Sequence, residues 1–419
     1  MRRRIWLVLW ILLAGLAPEL RGAVPTPTRA DSGRFAVGLE TAGVLQYFHQ
    51  DNDIHSFEQI PPGIQSAVGN VMIGAALTSG IRVYFELYLS SRHREGYVTP
   101  REGYIYLSHL PEGANVLGLN RLFRYVDLKA GHFEVDFGNY HLFRSDNGQV
   151  QGNPLIGNYL IDANTVEPGV EVIVHPGSVY GVLGISNGTT TGNFEPRRGT
   201  AFHTKLGLNL HQAFQASLSL YRVDHSGNSA SGCEQCQVDF SNGQEGEEGS
   251  FSSLFAANRS GSRYAGIFGG GPDVGQLNVG HGQDLLAWQA DVLYQRDPVR
   301  VFGMYGYTAD RDNNGSAAGT PSDIWHYYGA GVRWNLLPGF YAAARYNTAR
   351  AVSLKGQDSR ALVNGYQAGL GYWLTPGMLW KVEYVHQQYL NFRTDYGDIP
   401  FIQDNPHFSG IVTEISVAF

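Results

Sequence analysis

Apolar and polar residues alternate with a period of two along most of this chain. In 409–419, Ile411, Thr413, Ile415, Val417 and Phe419 share one parity, and Gly410, Val412, Glu414, Ser416 and Ala418 share the other. Successive side chains of a strand point to opposite faces, so this is the pattern of a half-buried strand. In 201–210, Phe202, Leu206, Leu208 and Leu210 oppose His203, Lys205 and Asn209. In 214–225, Phe214, Ala216, Leu218 and Leu220 oppose Gln215, Ser217 and Ser219. In 379–390, Trp380, Val382 and Tyr384 oppose Lys381, Glu383 and Gln387.

Such segments come in pairs joined by very short turns. Segments 67–77 and 82–92 meet at Thr78-Ser79-Gly80, 169–175 and 179–186 at Pro176-Gly177, and 201–210 and 214–225 at His211-Gln212. Segments 284–295 and 299–309 meet at Asp297-Pro298, 323–336 and 340–350 at Pro338-Gly339, and 366–374 and 379–390 at Thr375-Pro376-Gly377. Most of these junctions carry residues that favour tight turns. Segments 35–49, 103–110, 124–136 and 407–419 bring the number to sixteen. The connections 50–65, 93–101, 137–165, 187–199, 226–282, 310–322, 351–362 and 391–406 are long and polar. Short turns thus fall on one side and long connections on the other, with 111–123 the single long exception.

That alternation predicts an all-β fold, a transmembrane antiparallel β-barrel of about 16 strands with short periplasmic turns and long outer loops. Most segments are long enough to cross a tilted barrel wall, whereas soluble strands average five or six residues. Trp334, Phe340, Trp373 and Trp380 near the short turns, and Tyr307, Tyr327, Tyr346 and Tyr389 near the long loops, are expected to form two interfacial bands. The competing reading is a soluble β-protein with these aromatics in its core.

Composition sharpens the choice. The 419 residues include 53 Gly, 12% aromatic and only 16% charged side chains, and mean hydropathy is −0.20. No stretch after residue 20 is apolar enough for a membrane helix. A net charge of −7 argues against nucleic acid as a partner. Arg2-Arg3-Arg4 followed by an apolar run over 5–17 reads as a secretory signal, too short to span a bilayer. Cleavage after Ala17 or after Ala30 fits. The expected organisation is a signal peptide and short linker over 1–30, then one barrel over 31–419 in the bacterial outer membrane, with its lipid as partner.

Parity assigns candidate pore-lining charges. Arg82, Lys129, Lys205, Arg333, Arg345 and Lys381 share the inner face with Glu86, Asp127, Glu171, Asp291, Glu383 and Glu414. Balanced signs on that face predict a wide, weakly selective aqueous channel with a transverse field. The alternative is mutual neutralisation in a plugged lumen. Connection 137–165 carries His141, Arg144, Asp146, Asn153 and Asp162 with Tyr140 and Tyr159. So long a loop is usually functional or disordered, and a constriction folded into the lumen is expected, against a loop lying on the outer surface. Cys233 and Cys236, the only cysteines, read as a loop disulfide in an oxidising compartment. They lack the further ligands of a metal site, and no cofactor is implied.

The segment from Gly131 to Val172, G-H-F-E-V-D-F-G-N-Y-H-L-F-R-S-D-N-G-Q-V-Q-G-N-P-L-I-G-N-Y-L-I-D-A-N-T-V-E-P-G-V-E-V, resembles part of a known family. It is similar to the strand, long third loop and next strand of porins related to the phosphate-selective outer-membrane porins, over residues 125–187. A last strand ending on Phe419 also resembles the closing strand of bacterial outer-membrane barrels. The resemblance implies a sixteen-stranded homotrimer whose third loop enters the lumen. Phosphate selectivity in that family rests on lysines and arginines along the path. Here the lysines are Lys129, Lys205, Lys355 and Lys381, with none in the loop, so that specificity does not carry over. The expected function is passive diffusion of small hydrophilic solutes or ions, without enzymatic activity. Two alternatives come from other classes. One is a phospholipase-like barrel enzyme using His407 and Ser409, which share a strand face but want a third, orienting residue. The other is a barrel sheath for an electron-transfer partner, prompted by the C-x-x-C.

Overall fold

The computed structural model describes residues 35–51, 60, 62–65, 68–90, 98–115, 117–139, 150–161, 163, 166–188, 200–210, 213–224, 254–255, 264, 275, 277, 279, 284–311, 323–354, 357–392, 405 and 407–419. Sixteen long strands are present: β1 Phe35–Asp51, β2 Val68–Ala76, β3 Ile81–Ser90, β4 Val98–Leu107, β5 Val126–Glu134, β6 Val166–Val174, β7 Val179–Ser186 and β8 Ala201–Leu210. They continue as β9 Phe214–Asp224, β10 Asp284–Arg296, β11 Val299–Arg311, β12 Ile324–Leu337, β13 Phe340–Leu354, β14 Leu362–Thr375, β15 Met378–Leu390 and β16 His407–Ala418. Two-residue pieces, Gly63–Ile64 and Gln357–Asp358, pair with β1 and β13 toward the long-loop end.

Each strand pairs antiparallel with its neighbours in sequence. β1 closes the sheet by pairing with β16 from Glu40↔Ala418 to Asp51↔His407, and with β2 from Phe35↔Ala75 to Ala42↔Val68. Closure leaves no sheet edge, as spanning a bilayer with strands requires. Gly177 and Gly339 take φ of +76° and +77° in two of the short turns, a conformation that costs glycine little. The long inner turn holds two short 3-10 helices, Glu112–Ala114 and Leu119–Arg124.

The faces are inverted relative to a soluble core. Leu183, Ile185, Phe202, Leu206 and Leu218 are exposed on the outside, while Glu171, His203, Lys205 and Ser217 from the same or the adjacent strands are buried inside. The aromatic bands hold in part. Trp334, Trp380 and Tyr346 face outward and are exposed, and Tyr307 and Phe340 point outward half-buried. Tyr327, Tyr389 and Trp373 are corrections. Tyr327 and Tyr389 are buried on the inner face, and Trp373 packs there against Leu155, Tyr341, Ala343 and Leu379. Strand parity dictates this outcome, and the neighbours Tyr328 and Tyr372 are the exposed ones. Several inward aromatics lie over glycines of the adjacent strand: Tyr341 over Gly371, Phe302 over Gly331 and Tyr327 over Gly306. The missing Cβ makes room for the ring.

The start of β4 is a further difference. The expected strand began at 103, whereas β4 begins at Val98, with a register shift between Glu86↔Glu102 and Leu87↔Pro100. Arg101 is the extra residue of that bulge.

Candidate functional site: the inner wall and its arginine recess

Ten of the twelve charges assigned to the inner face by parity are buried there; only Arg82 and Arg333 stay half-buried. They are organised as separate ion-pair clusters. Lys129 stands 3.3 Å from Glu171, whose other oxygen meets His203 Nε2 at 3.0 Å. The Lys129 ammonium also lies 4.3 Å from the centre of the Phe133 ring. Asp127 accepts from the Tyr106 hydroxyl at 2.6 Å, and Arg82 stacks over that same ring at 4.8 Å. Asp291 accepts from Gln289 at 2.7 Å.

Parity alone missed part of the wall. Arg101 sits between Glu86 at 3.4 Å, Glu102 at 3.9 Å and Glu134, all buried. A bulge sets two consecutive side chains, Arg101 and Glu102, toward the same side, which no strict period of two can anticipate. Glu40 and Arg300 were missed as well, although each has the inward parity of its strand. Asp136, just beyond β5, receives the Lys205 ammonium at 2.6 Å. Burial pushes its carboxyl up, and Lys205 opposes that shift.

Residues 150–161 lie against this inner face, held by its charges. Lys381 pairs with Glu414 at 2.7 Å and donates to the carbonyls of Val150 at 2.9 Å and Leu155 at 3.1 Å. Glu383 Oε2 accepts the backbone N–H groups of Ile156 at 2.6 Å and Gly157 at 3.1 Å. Arg345 donates to the Gly157 carbonyl at 2.8 Å and to Asn153 Oδ1 at 2.9 Å, with Tyr159 stacked on its guanidinium at 4.1 Å. Tyr264, from the connection between β9 and β10, donates its hydroxyl to the other oxygen of Glu383. Burial and the Glu383 charge push that phenol well above its ordinary range, so it remains a donor.

Around these bonds, Phe137, Leu160, Ile161, Phe255 and Leu277 form an apolar cluster with the inward Tyr221, Trp325 and Phe408. At this level apolar side chains of two long connections pack on the inward aromatics. A recess remains, lined by Gly152, Asn153, Pro154, Tyr159, Arg300, Phe302, Arg333 and Arg345. Arg300 and Arg333 are direct partners across β11 and β12. No carboxylate is among its described lining residues.

His141, Arg144, Asp146, Asp162, Cys233 and Cys236 lie outside the described residues. The constriction and disulfide expected of them stand on sequence alone. Asn153 and Tyr159, from the same connection, are both at the recess. No group of His, Cys, Asp and Glu among the described residues is arranged to hold a metal ion.

Neither a protein-family model nor a curated protein sequence matches the chain. Solved structures do. An anion-selective porin from Comamonas acidovorans aligns at a TM-score of 0.55 and 10% identity, covering 92% of this chain and 99% of that one. The outer membrane channel DcaP of Acinetobacter baumannii aligns at 0.54 and 11%, covering 93% and 99%. OmpT, an outer membrane protein of Vibrio cholerae, aligns at 0.53 and 10%, also covering 93% and 99%. At such identities these likenesses establish the fold, a closed barrel of the outer-membrane kind.

Proposed function

We propose that this chain is an outer-membrane channel of porin type, through which small hydrophilic solutes, anions above all, diffuse passively. Residues 1–30 would direct export, 31–419 would insert as the barrel, and three copies would assemble as a homotrimer, in keeping with the expected family. The observation that carries the reading is the recess where Arg300, Arg333 and Arg345 meet Asn153 and Tyr159 of the third long connection. Elsewhere the wall's described cations and anions largely offset one another in short ion pairs. Three guanidiniums gathered beside a low-dielectric wall bias the local potential toward positive. That one structural neighbour is described as anion-selective fits this reading, which rests on this chain's own arginines.

The test is single-channel recording in planar bilayers under a salt gradient. The expected result is discrete steps whose reversal potential reports anion preference, moved toward cations by Arg300→Glu. Folded protein that never conducts would remove the channel reading. A reversal potential unchanged by Arg300→Glu would remove the recess from the path.

A further inference from the structure

The channel makes no use of a polar row on the outside of the wall. Directly paired positions carry Tyr305, Tyr328, Thr348, Asn364, Gln388 and His407 across β11 to β16. Two residues nearer the short turns, Tyr366, His386, Ser409 and His49 are paired in the same way. His386, His407 and Ser409 are half-buried and His49 is exposed. They occupy the face that presents leucines elsewhere, and ionisable groups set against lipid call for a functional explanation.

We propose that Ser409, His386 and Gln388 form a lipid-facing site that hydrolyses acyl esters of membrane lipids. Ser409 is the nucleophile, His386 its base and Gln388 the positioning residue. Ser409 and His386 are direct partners in the ladder, which sets their Cβ atoms about 5 Å apart. His407, the base suggested by the H-x-S spacing, lies on the same strand about 7 Å along from Ser409. The base is therefore assigned across the ladder.

The third member is Gln388, whose carboxamide meets His386 Nε2 at 2.8 Å. Oxygen and nitrogen of an amide are assigned by their hydrogen bonds, so with the amide turned its oxygen accepts from Nε2–H. That tautomer leaves His386 Nδ1 free to act as the base. The His407 ring lies 5.4 Å from that of His386, and His49 is the ladder partner of Ser409 on β1, so two further imidazoles flank the pair.

Depth suits the substrate. His386 is six residues along β15 from the exposed Trp380, about 15 Å along the membrane normal for a tilted strand. The site thus lies in the long-loop half of the apolar band, toward the level of lipid esters. In the reaction, Ser409 Oγ attacks the ester carbonyl carbon while His386 takes its proton. The proton passes to the leaving alkoxide oxygen, and an acyl-serine forms. Water then attacks the acyl-serine, His386 takes one of its protons and returns it to Oγ, and a fatty acid is released.

The test uses full-length refolded protein with dioleoyl phosphatidylethanolamine in mixed micelles, and reads oleate release. A fluorophosphonate probe with peptide mapping provides a second readout. Expected are oleate release, probe on Ser409, and loss of both in Ser409→Ala; the loss of turnover should be at least roughly a hundredfold. Gln388→Ala should lower kcat more than it changes KM, with recovery in Gln388→Asn. Equal oleate release by wild type and Ser409→Ala, or probe that never reaches Ser409, would overturn the site. Bilayer conductance of Ser409→Ala is expected to match wild type, so this outcome is independent of the channel reading.

Discussion

Lys381 shows what one inward side chain carries in this barrel. Its ammonium is buried, pairs with Glu414 at 2.7 Å and holds three carbonyls of the segment 150–155. Removing one partner of a buried pair strands the other charge, at a cost of about 3–5 kcal/mol. Lys381→Met is therefore expected to lower the unfolding temperature in detergent, and adding Glu414→Gln should restore part of the loss. Additive losses in the double variant would mean that the pair does not couple. Gly371 makes the complementary point about space. A Cβ there would run into the Tyr341 ring, over which the Arg333 guanidinium sits at 4.3 Å. Gly371→Ala should thus disturb the recess as well as stability, and a shift in reversal potential would report it.

At the scale of the element, period-two alternation and the contrast of short and long connections were enough to place sixteen strands, most within a few residues of their ends. They were enough because one face meets lipid and the other does not, so a slip of one residue would be costly. The pattern failed where the ladder itself is irregular. The bulge between β3 and β4 hides Arg101 and Glu102 from any parity argument, yet they complete a buried cluster with Glu86 and Glu134. Tyr327 and Trp373 differ for another reason: nearness to a connection does not fix the face, and the parity of their strands turns them inward. The Arg101 cluster yields a prediction. Arg101→Leu leaves three buried carboxylates without that cation, so folding yield at neutral pH should fall sharply. Protonating carboxylates removes their repulsion, and the deficit relative to wild type should narrow as pH falls toward about 4. A deficit independent of pH would show that Arg101 matters for packing alone.

For the whole molecule, the consequential contact joins parts far apart in sequence. Glu383 on β15 accepts Ile156 and Gly157 N–H with one oxygen and the Tyr264 hydroxyl with the other. Gln367 braces the arrangement, donating to the Tyr264 hydroxyl at 2.6 Å. One wall carboxylate thus fastens two long connections, and both contribute to the same apolar cluster. Nothing local in the sequence announces this, since the partners are separated by well over a hundred residues. If those connections set the width of the path, releasing them together should widen it. Glu383→Ala is expected to give larger and noisier single-channel steps than wild type, with the barrel still folded because its closure lies in the strand ladder. Glu112→Ala, in the long inner turn and exposed, should conduct as wild type does. Steps of wild-type size and quietness in Glu383→Ala would mean that the two connections are held in place by apolar packing, and that the carboxylate only satisfies their polar groups.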